Sequence, residues 1–370
     1  MSAASPWNRL TVRRFRGLQD VSLEGLGAFN VLVGANDTGK TSLLEAVFLL
    51  SWPGHPSLPV TVQHFRKYTV YTLDDLEYLF HDCDVAAGIE LSAESGPLAS
   101  RRSLSITDTD HDGLRRIISP HDSNPKPNGP PSPATRAPTS ARIPRRSLRY
   151  DLALSPDRDS RPTRHSGSLT IEDNKLVPET DPSLSGASIP AVFLSHTFEY
   201  DVNAVGAVIV KKKKPELLRY LRCVNPKIQD VAVNGPTAFL DVGLAKMLPA
   251  NMFGSGMIRA CSIIAHCVVG ESRILLVDEV SSGLHYGAVS PMLKAMLRFS
   301  TERGVQMFVT SHSLGVLQSL REILDETKMA GLRDAVVCYA MQRDAEGRVR
   351  AYRYGHEEFD HCIRHGIELR

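Results

Sequence analysis

Residues 31–47 read VLVGANDTGKTSLLEAV. The apolar run Val31, Leu32 and Val33 meets Gly34, and four residues later come Gly39, Lys40 and Thr41. Beyond them Leu43, Leu44, Val47 and Leu50 recur at helical spacing, so the local order is strand, glycine loop, helix. A strand that ends in such a turn aims backbone N–H groups and a helix N-terminus at one point, where anionic phosphate can sit. In this pattern Lys40 reaches the β- and γ-phosphates and Thr41 offers its hydroxyl to Mg²⁺. The expected nucleotide cradle is therefore Gly34, Asn36, Asp37, Thr38, Gly39, Lys40, Thr41 and Ser42. The bland alternative is an ordinary glycine turn, against which both flanks argue.

The chain around this loop has 370 residues, of which 42% are hydrophobic, enough for one large or two ordinary domains with a sizeable core. Forty-three Lys and Arg stand against 41 Asp and Glu, so no global field selects nucleic acid or membrane as partner. Six cysteines are scattered without CxxC pairs, which reads as reduced thiols rather than a disulfide framework or a zinc site. The N-terminal MSAASPWNRLTVRRF does not resemble a secretory signal, and no run of about 18 apolar residues occurs. The expectation is a cytoplasmic protein with no membrane partner.

Along the chain, RLTVRRF and AFNVLV read as two short strands joined by GLQDVSLEGL. Short alternating segments from about 86 to 176 predict an antiparallel sheet layer. It is interrupted at 119–144 by a stretch too rich in Pro, Ser and Asn to bury anything, read as a flexible insert. Residues 101–164 hold 13 Arg and Lys against 7 Asp, and KKKK at 211–214 precedes a helix with Pro215 suited to its first turn. Both basic segments have two open readings: solvated surface, or contact with nucleic acid. IQDVAVNGPTAFLDVG predicts a hairpin turning at Asn234-Gly235.

A phosphate loop alone binds nucleotide; hydrolysis also needs a carboxylate for Mg²⁺ and a group that positions water. SRILLVDEVSSGLHYG, residues 272–287, offers both. Ile274, Leu275, Leu276 and Val277 form the continuous apolar run of a buried parallel strand. Asp278 follows at its carboxyl end, where ligands bind in open α/β sheets, and is the expected metal residue beside Thr41. Glu279 can orient or deprotonate the attacking water. The next apolar strand, VQMFVTSHS, ends in His312, which can donate to a γ-phosphate. Gly254, Ser255 and Gly256 open an apolar helix, and by spacing alone they are equally a plain cap and an anion site for a second nucleotide.

FRGL, GANDTGKTSLLEAV, FGSGMIRA, LLVDEVSSGLHYG and VTSHS, in that order, resemble the ABC-type ATPase heads of the SMC, RecF and OLD proteins, and most of all the bacterial OLD-like AAA-family ATPases. The resemblance covers about residues 1–50 and 180–370. It implies a P-loop NTPase of α/β class: a mixed, mostly parallel sheet flanked by helices, with an antiparallel β layer and a helical lobe. The corresponding parts are 1–85 and 271–370 for the nucleotide-binding lobe, 86–178 for the β layer, and 179–270 for the helical lobe. It further implies ATP and Mg²⁺ as cofactors and a head-to-tail homodimer or higher oligomer. Ser255 and Gly256 of one copy would then complete the γ-phosphate site of the other, with His312 as switch residue. Three departures stand out. FGSGMIR lacks the second glycine and the glutamine of the transporter signature, the glutamine of the lobe-joining loop is not identifiable beyond a poorly placed Gln63, and the 58 residues after His312 fit no acidic Toprim domain. No heptad run suggests coiled-coil arms.

The expectation is an ATPase, with Lys40, Glu279 and His312 catalytic, whose dimerisation gates a separate effector protein or a DNA-related process in anti-phage defence or genome maintenance. A nucleotide-sensing scaffold with negligible hydrolysis is the rival, and a nucleic-acid-stimulated enzyme a third reading. A GTPase is disfavoured because NKLV at 174–177 lacks the aspartate of the base-reading motif.

Overall fold

The computed structural model describes residues 6–51, 55, 57–96, 100–109, 147–157, 159–172, 175–180, 187–196, 201–327 and 329–366. The insert read at 119–144 lies outside them. In chain order, β1 (Arg9–Phe15), β2 (Leu18–Glu24) and β3 (Phe29–Val33) lead into α1 (Lys40–Ser51) and α2 (Leu58–Phe65). Then come β4 (Ile89–Ser95), β5 (Ser100–Asp108), β6 (Ser147–Ser155), β7 (Thr163–Glu172) and β8 (Lys175–Thr180). They are followed by β9 (Ala191–Leu194), α3 (Val202–Val210), α4 (Lys214–Val224), β10 (Asp230–Asn234), β11 (Thr237–Asp241), β12 (Leu248–Pro249) and α5 (Ser255–Val269). The last third holds β13 (Ile274–Val277), α6 (Tyr286–Arg303), β14 (Gln306–Ser311), α7 (Leu314–Asp325), β15 (Val336–Arg343), β16 (Val349–Tyr354) and α8 (His356–Arg364).

The central sheet has the order β16-β15-β3-β14-β13-β9, parallel throughout except for β16. Every residue of β3, β13 and β14 is buried, which is why these strands read as unbroken apolar runs rather than alternating ones. Helices α3 to α7 cover one face, with Ile263, Met292, Leu320 and Leu217 in one continuous core. On the other face α1 is buried on nearly all sides, packed between the central sheet and a second, antiparallel sheet of order β2-β1-β4-β5-β6-β7-β8. Burying an all-round apolar helix such as α1, at about 1.5–3 kcal/mol per Leu or Val side chain, fixes the loop before it between two layers.

Three sequence expectations change. GLQDVSLEGL is not a connection: Leu18–Glu24 is itself a strand, paired antiparallel with β1, and the stretch before β3 holds two strands where one was read. Its alternation was masked because Gln19 and Asp20 are both exposed between the buried Leu18 and Val21. As a result the antiparallel sheet reaches beyond 86–178 and takes in β1 and β2. The hairpin of β10 and β11 turns at Gly235-Pro236, one residue later than read, because Asn234 still pairs with Thr237 and Gly235 takes the positive φ of 57°. Finally, three of the four lysines at 211–214 are engaged within the fold. Lys211 pairs with Glu271, Lys214 pairs with Asp230, and Lys213 donates to the Val268 and Val269 carbonyls at the end of α5, where a helix dipole favours a cation.

Candidate nucleotide site

The loop after β3 needs glycine at two positions for two different neighbours. A Cβ on Gly34, at φ 148°, would stand 2.3 Å from the Met341 carbonyl oxygen of β15. One on Gly39, at φ 82°, would stand 2.5 Å from Leu18 Cδ2. Between them Asn36 and Asp37 are exposed, Thr38 Oγ1 donates to the Ala35 carbonyl (2.9 Å), and Arg343 holds the Asp37 carbonyl. Lys40 is buried and its Nζ donates to the Gly34 and Ala35 carbonyls at 2.9 and 2.8 Å, so the ammonium already sits inside the loop. Burial lowers its pKa, and the nearby Glu279 and Asp278 carboxylates work against that. Ser42 Oγ accepts from Arg66 beneath the helix.

Thr41 is the second residue of α1 and Asp278 directly follows β13, 237 residues apart, yet Thr41 Oγ1 lies 3.0 and 3.1 Å from the two Asp278 oxygens. Asp278 is 1% exposed and is held by two further groups. Thr310 Oγ1, on β14 between β3 and β13, donates to its Oδ1 at 2.7 Å, and His196 Nδ1 meets its Oδ2 at 3.0 Å. Thr310 Oγ1 also accepts the Glu279 N–H at 2.7 Å, so one hydroxyl positions both neighbouring carboxylate residues. Glu279 stands at φ 51°, a left-handed conformation unusual for Glu, and its Oε2 is 2.8 Å from His312 Nδ1. The structure therefore brings Lys40, Thr41, Asp278, Glu279 and His312 to the carboxyl ends of adjacent parallel strands.

Ser255 and Gly256 lie elsewhere, at the start of α5, Ser255 exposed and Gly256 buried. Gly254 precedes them at φ 83°, and Gly256 packs so closely on Gly283 that a Cβ would meet its carbonyl oxygen at 2.0 Å. This end of α5 is tied to the carboxylate cluster by Arg259, which is buried and donates to the carbonyls of Ser195 and Asp278.

Gln63, poorly placed in the sequence for the lobe-joining glutamine, is bonded elsewhere. It is 2% exposed in α2, donating to the Asp75 carbonyl and accepting from Arg16, so its amide is fully used. The residue that does reach Asp278 from the strand beyond β13 is His196, directly after β9. The signal was present: AVFL is a continuous apolar run, and Ser-His follows it as Asp-Glu follows ILLV. Sequence reading also missed the ion cluster under α1, where fully buried Glu45 pairs with Arg16 at 2.6 Å and Arg66 at 2.7 Å. All six cysteines are free, and burial pushes the Cys261, Cys267 and Cys338 thiols up to about 12, so these three are packing residues.

Residues 29–318 match the family described as AAA domain, putative AbiEii toxin, Type IV TA system. The chain belongs to that family. The match takes in the ends of β3, β13 and β14 that build the site, and reaches into α7. An "ATP/GTP phosphatase" of Helicobacter pylori is 20% identical over 332 residues, 86% of this chain and 88% of its own length. The "DNA replication and repair protein RecF" of Acinetobacter baumannii is 56% identical over 43 residues, only 12% of either chain, and that of Haemophilus ducreyi 39% over 74 residues, 19% of this chain and 21% of its own. Among solved structures, the SMC head domain from Thermotoga maritima aligns at 11% identity and TM-score 0.42, over 94% of this chain and 99% of its own. The Smc head domain from Pyrococcus furiosus aligns at 10% and 0.48, over 98% and 100%. This AAA-domain protein is an ATPase.

Proposed function

We propose that the protein binds ATP with Mg²⁺ in the loop of residues 34–42, hydrolyses it with Glu279, and couples this to head-to-tail association of two copies that gates a separate effector in anti-phage defence or genome maintenance. The observation that carries the reading is the contact between Thr41 and Asp278, which gathers a hydroxyl and a buried carboxylate beside the loop lysine. That all-oxygen pair suits a hard divalent cation, which takes carboxylate, hydroxyl and phosphate oxygens. When bound, the cation supplies neutralising charge at the phosphates.

The chain's own residues supply the rest. Lys40 would exchange its two carbonyl partners for β- and γ-phosphate oxygens, a gain because those oxygens carry full negative charge where the carbonyls carry only a dipole. Glu279 would hold the attacking water, and His312 would leave Glu279 for the γ-phosphate. Ser255, exposed at a helix start, would present its hydroxyl and N–H to the other copy's nucleotide, with the buried Gly256 behind it packed on Gly283. The scaffold reading draws on the Glu279–His312 contact, since a carboxylate held by histidine is not free to act on water. Steady-state ATPase assays with nucleotide-binding titrations separate the two. Lys40→Ala should abolish binding; Glu279→Gln should keep binding and lose turnover. Absence of turnover in the wild type with ATP-dependent dimers intact would leave the scaffold.

A further inference from the structure

His196 has no place in the reading above, and its position is specific. It follows β9, the parallel neighbour of β13, so the carboxyl ends of the two strands lie side by side. The Ser195 carbonyl is fixed by Arg259 at 3.0 Å, which leaves the next residue aimed at the cluster. Its Nδ1 lies 3.0 Å from Asp278 Oδ2, and Thr41 Oγ1 lies 3.1 Å from that same oxygen. With metal–ligand bonds of about 2.1 Å, adjacent ligand atoms of an octahedron stand about 3.0 Å apart. Both separations match octahedral edges that share Asp278 Oδ2, so one cation bound by that oxygen can take Thr41 and His196 as neighbouring ligands. The imidazole is about half exposed, so it can turn toward a cation without unpacking the core.

We propose that His196 is a direct ligand of the divalent cation at Asp278 and Thr41, and that its nitrogen moves the preference of this site from Mg²⁺ toward Mn²⁺ and later first-row divalent ions. An oxygen-only set suits Mg²⁺, which sheds water reluctantly; adding one imidazole favours ions further along the Irving–Williams series. The proposal rests on the nucleotide-site reading above.

The test uses the full chain with Mn²⁺ and a non-hydrolysable ATP analogue. Electron spin-echo spectra of bound Mn²⁺ should show coupling to one nitrogen that changes on ¹⁵N-histidine labelling and disappears in His196→Gln. In parallel, the ratio of Mn²⁺-supported to Mg²⁺-supported analogue affinity should fall about tenfold in that variant. Bound Mn²⁺ in the wild type with no histidine nitrogen coupling would overturn the proposal, making His196 a hydrogen-bond partner of Asp278 only. If Thr41→Ala and Asp278→Asn leave Mn²⁺ binding unchanged, the underlying site reading falls instead. The wild-type spectrum decides the ligand question even where a variant folds poorly.

Discussion

Thr310 is the residue on which both carboxylates of the candidate site depend, donating to Asp278 and accepting from the Glu279 backbone. It also fastens Glu279 at φ 51°, a backbone state that costs on the order of 1–3 kcal/mol and persists only where its surroundings over-determine it. Thr310→Val keeps the shape but removes the hydroxyl, leaving a buried carboxylate oxygen and an N–H short of a partner. A hydrogen bond to a charged group is worth about 1.5–3 kcal/mol, so turnover should fall about ten- to a hundredfold while Thr310→Ser retains most of it. Single-turnover ATPase rates of the two variants check this. Thr310 did not stand out in the sequence, because a lone Thr at a strand end has no distinguishing neighbours, and His196 was passed over although Ser-His follows AVFL as Asp-Glu follows ILLV. Lys40, Asp278 and Glu279 did stand out, because glycine spacing and an apolar run ending in Asp-Glu are local patterns.

At the scale of elements, two contacts hold the helices in place. Asp201 caps α3, accepting from the Asn203 and Ala204 N–H groups, and lies 2.9 Å from His266 Nε2 of α5. The His266 hydrogen bond, more than the two backbone bonds, holds its carboxyl below the usual value of 3.8. A lowered carboxylate pKa contributes stability that is complete above 3.8 and is lost as pH falls through the folded value. Asp201→Ala should therefore cost about 1 kcal/mol in denaturant titrations near neutral pH, and the difference from wild type should shrink in acid below the carboxylate range. Glu45 is the second contact: its two arginines tie α1 to the end of β1 and to the end of α2, and burial depresses Arg16 more than Glu45 raises it. Glu45→Ala strands two cations beside the loop helix and should destabilise by about 3 kcal/mol, read as a drop in urea midpoint. β3, β13 and β14 were legible as buried parallel strands because a short, continuous apolar run bounded by turn residues suits a strand covered on both faces. β2 was not, since its alternation breaks at Gln19 and Asp20.

For the whole molecule the open question is association. Met252, Tyr286 and Leu314 are exposed, and they flank Ser255, the loop after Glu279, and His312 respectively. On the proposed reading ATP should convert Glu279→Gln from monomer to dimer, seen as a doubled mass by light scattering, and Ser255→Arg should prevent it; a mass unchanged by ATP would remove the head-to-tail arrangement. The sequence by itself determined the strand, loop and helix of residues 31–47, the buried strands that end at Asp278 and His312, and the two-layer α/β class, because each is written in spacing of a few residues. Only the tertiary structure decided that β1 and β2 complete the antiparallel sheet, that Gln63 is spent on Arg16 and Asp75, and that His196 and Thr310 close on Asp278. The last two contacts join residues 82 and 32 positions apart, and strand order, which no local pattern encodes, is what brings them within hydrogen-bond reach.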